Sequence, residues 1–474
     1  MTLLIFHIIV VSLLMFRILS RGDMQSTSRL AWFLVLILFP FLGAIVYFLF
    51  GEVNLGHLTN ARAKAVYEEI DLKKETFKPS KTALQNVESH YVPAFKFAES
   101  INGFQTTAGN TAELMANGDV ARSRMVEDIE SASQSVNIIY YIWLDDETGT
   151  DMANALIRAS KRGVACRAMI DGLGSRSFIK TKLWADMKAA GVKTSVAFPL
   201  NNILKTLVTS RVDLRNHRKI TVIDNKITYC GSQNCADAAF LVKEKYAPWV
   251  DILLRFEGPV VAQNQLLFAG DWLLNEEDDL DSFFSKPIKK KDGFVAQVWG
   301  DGPTVRASAT PQMFSTLINQ ARETLTISTP YFVPDEIVLS ALCSAAYRGV
   351  KVTIIFPANN DSWIVGAASK SHYREMLDAG IIIYEYEKGL LHSKTLTIDG
   401  VVSLIGSTNL DLRSFDLNYE NNILLQDESV TQAITQRQAD YISDSHLVEL
   451  ENVVNWPLHK RIWQNVIATL GPVL

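Results

Sequence analysis

The stretch RNHRKITVIDNKITYCGSQN, residues 215–234, is repeated in kind by LLHSKTLTIDGVVSLIGSTN, residues 390–409. His217 and His392 are 175 residues apart. Five further pairs of motif residues keep the same separation: Lys219 and Lys394, Asp224 and Asp399, Gly231 and Gly406, Ser232 and Ser407, Asn234 and Asn409. A single His-x-Lys is common and means little, whereas two copies in one frame indicate an internal duplication.

The duplication extends upstream of both motifs. Residues 135–171 and 324–359 each read as an apolar strand, an aromatic pair, an acidic turn, a helix ending at Arg-Gly-Val and a second strand. Gly163 and Gly349 of those tripeptides are 186 residues apart, so the first copy has 11 additional residues before its histidine. This alternation predicts an α/β protein with two pseudo-equivalent sheets.

Composition narrows the class of protein. A chain of 474 residues is long enough for two catalytic-size units and an additional segment. Its net charge of −5 argues against a general nucleic-acid-binding protein, which would be basic. The four cysteines form no Cys-x-x-Cys pair and no disulfide framework, which favours a reducing compartment for the globular part.

The amino-terminal segment, residues 1–55, differs from the rest of the chain. The run AWFLVLILFPFLGAIVYFLF, residues 31–50, has no charged residue and is long enough for a membrane span. A shorter apolar run, about residues 2–19, predicts a second helix, so we expect a transmembrane hairpin. A cleaved signal peptide is the weaker alternative, because no positive charge precedes the first run. Loop charges do not decide the orientation; cysteine usage favours a cytoplasmic catalytic part at the inner membrane.

The paired H-x-K-x4-D-x6-G-S-x-N motifs resemble those of the phospholipase D superfamily. The phrases TPYFVPDE and GSTNLDLRSFDLNYEN, together with the apolar amino terminus, are similar to bacterial-type cardiolipin synthases. The resemblance implies two repeats that face each other across one active site. We expect repeat 1 over 101–284, a linker over 285–293 and repeat 2 over 294–474, with no assignment for 56–100.

The repeated residues suit phosphodiester chemistry. On a strand, residues i and i+2 share a face, so each motif presents His217 with Lys219, or His392 with Lys394, to the same side. Two convergent imidazoles can divide the work, one attacking phosphorus and the other transferring protons. The lysines are expected to bind the non-bridging oxygens together with Ser232, Asn234, Ser407 and Asn409. The resemblance favours His217 as the nucleophile. We expect no metal and no cofactor.

Four carboxylates require separate interpretation. Asp224 and Asp399 complete the motif and count with its catalytic set. Their odd spacing from the histidines and their position in IDN and IDG predict instead a turn-forming, lysine-pairing structural role. Asp251 and Glu420 follow His217 and His392 by 34 and 28 residues. The resemblance implies that they orient the catalytic histidines, although ordinary edge-strand charges are the alternative.

The motif does not select the substrate, because related proteins cleave nucleic acids as well as lipids. The apolar amino terminus and the acidic charge favour lipids and exclude a nucleic-acid partner. We expect phosphatidyl transfer between two phosphatidylglycerol molecules, with hydrolytic phospholipase D, another headgroup acceptor or an inactive scaffold as alternatives. Residues 198–211 predict either an interfacial helix, carrying Ile203, Leu204, Leu207 and Val208, or a core helix. Lys289, Lys290 and Lys291 read as anionic-headgroup contacts or a solvated linker.

Overall fold

The computed structural model describes residues 2–22, 24, 26–39, 41–52, 57–76, 83–200, 211, 213–284, 292–303, 306 and 308–469. The proposed interfacial segment around Ile203 to Val208 and the lysines at 289–291 lie outside the described residues.

The described residues contain the following α-helices: Thr2–Ser20, Ser26–Leu38, Leu42–Phe50, His57–Thr76, Val92–Asn102, Gly118–Glu130, Glu147–Lys161, Lys182–Ala189, Val260–Asn275, Ala309–Gln320, Glu336–Tyr347, Trp363–Ser371, Tyr373–Asp378, Leu412–Asp416, Glu428–Ser443, Leu450–Val454 and Leu458–Thr469. Short 3₁₀ helices are Leu84–Asn86, Phe178–Lys180, Leu241–Tyr246 and Leu280–Phe283. The strands are β1 Thr107–Leu114, β2 Ser135–Tyr140, β3 Ala165–Asp171, β4 Lys193–Ala197, β5 Arg215–Asn216, β6 Lys219–Ile223, β7 Ile227–Gly231, β8 Trp249–Val250, β9 Leu253–Glu257, β10 Phe294–Asp301, β11 Thr324–Ser328, β12 Phe332–Val333, β13 Lys351–Pro357, β14 Ile382–Tyr386, β15 Leu390–Leu391, β16 Thr395–Ile398, β17 Val402–Gly406, β18 Leu410–Asp411, β19 Asn418–Gln426 and β20 Ser445–Leu447.

The amino-terminal segment is helical, but not as one hairpin of two helices. Thr2–Ser20 matches the first expected helix. The helix expected over about 31–50, in which a kink at Pro40 is possible, is divided in the structure into Ser26–Leu38 and Leu42–Phe50. Pro40 in the sequence cannot donate a helical hydrogen bond, and Phe41 has a positive φ of 61°. Of the helices in the described ranges, none is both long enough and apolar enough to cross a membrane.

In the described part of residues 56–100, which the sequence left unassigned, the α-helices are His57–Thr76 and the beginning of Val92–Asn102. Arg62 on the first donates to the carbonyl oxygens of Leu273 at 2.8 Å and Glu276 at 2.7 Å, at the end of Val260–Asn275. The second helix, Val92–Asn102, buries Phe95 and Ile101 in the core of repeat 2. The segment therefore packs against both repeats.

The strand–helix–strand units have the predicted order. In repeat 1, β2 is followed by Glu147–Lys161 and β3; in repeat 2, β11 is followed by Glu336–Tyr347 and β13. The acidic turns cap the helices, because Asp146 accepts from the Gly149 N–H and Asp335 from the Ile337 N–H. β2 and β3 are parallel, as are β11 and β13, as expected for strands joined by a helix.

The two repeats share one sheet. Its strand order is β20-β14-β13-β11-β16-β17-β19-β10-β1-β9-β7-β6-β2-β3-β4, and β5 pairs with β19 beside this path. The antiparallel pair of β1 and β10 is at the centre, with Thr107 opposite Ala296. The six strands on each side correspond one to one between the repeats, and β20 is an additional edge strand. The central pair therefore lies on a pseudo-twofold axis.

Both motif aspartates lie in tight hairpin turns. Asp224 and Asn225 between β6 and β7 have φ values of 52° and 53°, and Asp399 and Gly400 between β16 and β17 have 52° and 70°. Consecutive positive φ values are typical of hairpin turns. Asp224 accepts from the backbone N–H groups of residues 133, 134 and 135 at 2.7–2.9 Å and from the Ser133 hydroxyl at 2.9 Å.

The second aspartate repeats this arrangement. Asp399 accepts from three consecutive backbone N–H groups, residues 322–324, the nearest at 2.8 Å, and from the Tyr91 hydroxyl at 3.1 Å. The Asp224 carboxylate therefore binds backbone N–H groups at the beginning of β2, and the Asp399 carboxylate binds those at the beginning of β11. The partners are backbone amides rather than the lysine that the sequence suggested. This arrangement corrects the inclusion of both aspartates in the catalytic set, since they stabilise the strands and contact no catalytic side chain.

We predict that Asp224→Asn destabilises the protein at neutral pH and much less in acid. Burial raises the pKa of Asp224, but the hydrogen bonds from Ser133, Ser135 and Gln134 lower it below its usual value. A lowered folded pKa gives stability above the unfolded pKa of about 3.9 that is lost as the pH falls through the folded value. Thermal unfolding of the full chain should show a loss of about 2 kcal/mol at pH 7.

The control for this change is Asp186→Asn, which removes an exposed carboxylate paired with Lys182 at 2.7 Å. That variant should unfold like the wild type at both pH values. An Asp224→Asn protein as stable as the control at pH 7 would contradict the role of the turn carboxylate.

Candidate active site

The two repeated motifs are brought together by short strand pairs between the repeats. β5, which precedes His217, runs parallel to the start of β19, and β15, which precedes His392, runs parallel to β8. The pairing continues into the histidines, because the His217 N–H donates to the Tyr419 carbonyl and the His392 N–H to the Val250 carbonyl, both at 2.9 Å. Each histidine therefore lies next to the residue that follows its backbone hydrogen-bond acceptor, Tyr419 or Val250, in the other repeat.

These following residues are the two predicted carboxylates, Glu420 and Asp251, and each contacts the histidine of the other repeat. The Nδ1 atom of His217 lies 2.9 Å from both carboxylate oxygens of Glu420. The Nδ1 atom of His392 lies 2.6 Å from Oδ1 of Asp251. Both carboxylates that the resemblance implied therefore contact the motif histidines, and they are exchanged between the repeats. A carboxylate that accepts from Nδ1–H leaves the Nε2 lone pair available.

The two motif serines bind these carboxylates. The Ser232 hydroxyl donates to Asp251 at 2.6 Å, and the Ser407 hydroxyl donates to Glu420. Both serines are fully buried. The expectation that they bind phosphate was therefore wrong, since each hydroxyl proton is already used to fix the carboxylate that contacts a histidine.

The motif asparagines and lysines lie around the histidines. Asn234 and Asn409 line the cavity that contains His217 and His392. Asn234 accepts from the Ile142 N–H at 3.2 Å, and Asn409 donates to Ser414 at 3.1 Å. The ammonium group of Lys219 donates to the His217 carbonyl at 2.7 Å, and that of Lys394 to the His392 carbonyl at 2.8 Å. Both lysines are buried.

The cavity has a volume of about 460 Å³, and different side chains line it beside the two histidines. Tyr141 packs against His217 with ring centroids 4.9 Å apart, and Trp249 against His392 at 4.6 Å. These rings, and Arg215 and Arg413 on the same cavity wall, lie outside the residues that the two motifs share and were not predicted as site residues. Arg215 lies two residues before His217, where the second copy has Leu390 two residues before His392. That difference between the two motifs was the available signal.

Burial shifts the pKa values of the histidines and lysines in one direction. It lowers the pKa of His217 to about 4, although Glu420 opposes the shift, and it also lowers that of His392. Burial lowers the pKa of Lys219 to about 8 and that of Lys394 to about 7. His217 is therefore a neutral imidazole at neutral pH.

Burial has the opposite effect on carboxylates, and here it is overcome. It would raise the pKa of Asp251, but interactions with His392, Lys394 and Ser232 hold that pKa at about 2. The pKa of Glu420 is likewise lowered by His217 and Lys219 against the effect of burial. Both carboxylates are therefore ionised and suited to stabilise a neighbouring imidazolium.

Comparison with known proteins agrees with this geometry. A family described as "Cardiolipin synthase, PLD-like domain" matches residues 125–263 and 314–440, and one described as "Phospholipase_D-nuclease N-terminal" matches residues 4–52. Cardiolipin synthase A of Yersinia pestis is 35% identical over 456 residues, which cover 94% of this chain and 93% of that protein. Cardiolipin synthase A of Yersinia pseudotuberculosis serotype O:1b (strain IP 31758) has the same identity and coverage.

The fold also matches a solved structure. Phosphatidylserine synthase from Haemophilus influenzae Rd KW20 superposes with a TM-score of 0.58 and 14% sequence identity, covering 81% of this chain and all of that one. At that identity the likeness concerns the fold alone. The duplicated motifs, the shared cavity and the match along nearly the whole chain place this protein in the cardiolipin synthase family of the phospholipase D superfamily.

Proposed function

We propose that this enzyme transfers a phosphatidyl group from one phosphatidylglycerol molecule to another, giving cardiolipin and glycerol. The observation that carries the proposal is the pair of histidines on one cavity, each with Nδ1 held by a carboxylate and Nε2 free for chemistry. One imidazole can attack phosphorus while the other transfers the protons.

In the first half-reaction, Nε2 of His217 attacks the phosphorus atom of the donor lipid. The bond from phosphorus to the glycerol headgroup oxygen breaks, and that oxygen takes the proton from Nε2 of His392. Glycerol leaves, and the phosphatidyl group stays on His217 as a phosphohistidine. The pKa of His217, lowered by burial to about 4, suits an attacking imidazole, which must be neutral. The pKa of His392 is lowered as well, so the choice of His217 as nucleophile rests on the resemblance to the phospholipase D superfamily.

In the second half-reaction, a terminal hydroxyl of the acceptor phosphatidylglycerol loses its proton to His392 and attacks phosphorus. The bond from phosphorus to His217 breaks, so cardiolipin forms and both histidines return to their starting states. Water can replace the acceptor, which would give phosphatidic acid. Tyr141 and Trp249, packed against the two histidines, support exclusion of water from the phosphorus.

The lysines are proposed to bind the non-bridging phosphate oxygens. An ammonium group has three donors, and Lys219 and Lys394 each use one on a histidine carbonyl. Their lowered pKa values mean that a phosphate anion would restore a charge that burial disfavours. Charge that develops on the phosphoryl oxygens would thus meet preorganised donors.

The amino-terminal helices are proposed to seat in the inner membrane, with the catalytic repeats on the cytoplasmic side. Large apolar side chains are exposed on all three helices, among them Phe16, Leu34 and Phe48. Exposed apolar surface of this extent is typical of contact with lipid. The four cysteines are free, which fits a reducing compartment.

The first test uses radiolabelled phosphatidylglycerol in vesicles with the purified full chain. We expect labelled cardiolipin and one free glycerol for each cardiolipin formed, without accumulation of phosphatidic acid. His217→Ala combined with His392→Ala should abolish the product, and His90→Ala, a histidine outside the cavity, should not. Phosphatidic acid as the main product would favour hydrolysis, and activity in the double variant would contradict the mechanism.

The rate of cardiolipin formation should show a bell-shaped dependence on pH. Activity is lost in acid when His217 becomes protonated, and in alkali when His392 can no longer supply a proton and Lys394 loses its charge. Initial rates of cardiolipin formation measure this profile. A flat profile between about pH 5 and 9 would argue against paired histidines.

The exchanged carboxylates give a selective prediction. Asp251→Asn should lower the pKa of His392 further and leave that of His217 nearly unchanged, since the Asp251 carboxylate raises the former. Glu420→Gln should do the reverse. Histidine NMR titration of isotopically labelled protein measures both values, and each variant serves as the other's control. A shift of the histidine in the same repeat would refute the exchange.

A further inference from the structure

A second cavity, of about 470 Å³, is lined mainly by residues of repeat 2, with Lys245 and Tyr246 from repeat 1. Three lysines line it: Lys245, Lys370 and Lys460. Among the described residues that line this cavity there is no aspartate or glutamate. Polar groups on its wall include Asn360 and Gln464. A cation-rich cavity with amide groups suits an oxyanion ligand.

The charges of these lysines are only partly compensated. Lys370 lies 3.3 Å from Glu385, but Glu385 also accepts from the Tyr373 hydroxyl at 2.9 Å and lies 3.2 Å from Nε2 of His446. Lys460 lies 3.9 Å from the centroid of Trp456 and, within the described part of the chain, has no carboxylate at ion-pair distance. An anion entering the cavity would therefore meet a net positive charge.

The rim of this cavity is apolar and exposed. Trp363 and Trp463 stack with ring centroids 5.9 Å apart, although they are 64% and 49% exposed. On the helix Leu458–Thr469, exposed Leu458, Ile462 and Val466 recur every four residues and so form one face. Exposed tryptophans beside basic residues are typical of surfaces at a membrane–water interface.

One short helix connects this cavity with the active site. In Leu241–Tyr246, Val242 and Lys243 line the catalytic cavity, whereas Lys245 and Tyr246 line the second one. Between the two cavities, Asp361 binds Lys243 and accepts from the Tyr331 hydroxyl at 2.7 Å. Leu241 and Val242 at the tip of this helix are 72% and 65% exposed. The short helix that contributes to both cavities therefore carries exposed apolar side chains at its amino-terminal end.

We propose that the lysine-lined cavity binds the phosphodiester headgroup of an anionic phospholipid whose acyl chains remain in the bilayer. Lys245, Lys370 and Lys460 contact the phosphate, and the stacked tryptophans lie at the level of the headgroups. This inference rests on the proposed function, since it gives the enzyme a lipid-binding site beside the one in which phosphatidyl transfer takes place. The apolar rim distinguishes a bilayer lipid from free phosphate, because a soluble anion would need no such surface.

The test compares two double variants of the full chain in mixed micelles of neutral detergent and phosphatidylglycerol. Lys245→Gln with Lys460→Gln removes two charges from the cavity and leaves the pair of Lys370 and Glu385 in place. Lys182→Gln with Lys351→Gln removes two exposed charges outside it. The cavity variant should raise the apparent KM for phosphatidylglycerol roughly tenfold or more and change kcat less than about twofold. The control should match the wild type.

Native mass spectrometry in neutral detergent gives a readout that does not depend on turnover. The wild type should retain one more phosphatidylglycerol per chain than the cavity variant, and phosphatidylcholine should not replace it. An unchanged lipid count with unchanged KM would overturn the inference while leaving the histidine mechanism intact. Displacement of the lipid by excess inorganic phosphate at equal affinity would also overturn it in favour of a free-anion site. If the wild type made no cardiolipin, the lipid count would still test the cavity.

Discussion

The active site depends on a hydrogen bond between each histidine and a carboxylate that comes from the other repeat. The exchange follows from two short parallel strand pairs, β5 with β19 and β8 with β15, that place the histidine of one repeat beside Glu420 or Asp251 of the other. The backbone register of these strand pairs is therefore sufficient to place each histidine beside its carboxylate. Neither repeat alone contains a motif histidine together with its carboxylate acceptor, so the reactive unit exists only when the repeats are folded against each other.

This arrangement places several charges in a buried volume. The two lysines, the two histidines and Glu420 are buried, and the side chain of Asp251 beside them is 14% exposed. Such a cluster is expensive to bury unless its members are paired and hydrogen-bonded, and removal of one member leaves an uncompensated charge. The serines of the motifs bind the carboxylates for this reason. The same burial lowers the pKa values of the histidines and lysines, so the stability of the cluster and its reactivity have one physical origin.

Much of the fold followed from local patterns in the sequence. The repeated strand–helix–strand units and the hairpin turns at Asp224 and Asp399 were predictable because period-2 and helical patterns are local signals. The convergence of His217 with His392 followed instead from the resemblance to the phospholipase D superfamily. The carboxylate partners were not, since sequence spacing is the same whether a carboxylate serves its own repeat or the other. Only non-local strand pairing decides between them.

Side-chain roles were also harder to predict than side-chain positions. A buried serine can serve a phosphate or a carboxylate, and the sequence does not distinguish the two; in the structure Ser232 and Ser407 bind carboxylates. The break in the helix between Leu38 and Leu42 was harder to predict, because residues 31–50 form an uninterrupted apolar run.

The pseudo-twofold axis relates the backbones of the two repeats but not the walls of the cavity. Arg215 precedes one histidine where Leu390 precedes the other, and Trp249 packs on His392 whereas Tyr141 packs on His217. A site with true twofold symmetry would make its two imidazoles equivalent, and a bound lipid would fit equally well in either of two orientations. Because the two sides of the cavity differ, the two orientations of a bound lipid are not equivalent. The reaction therefore has a defined direction along the cavity.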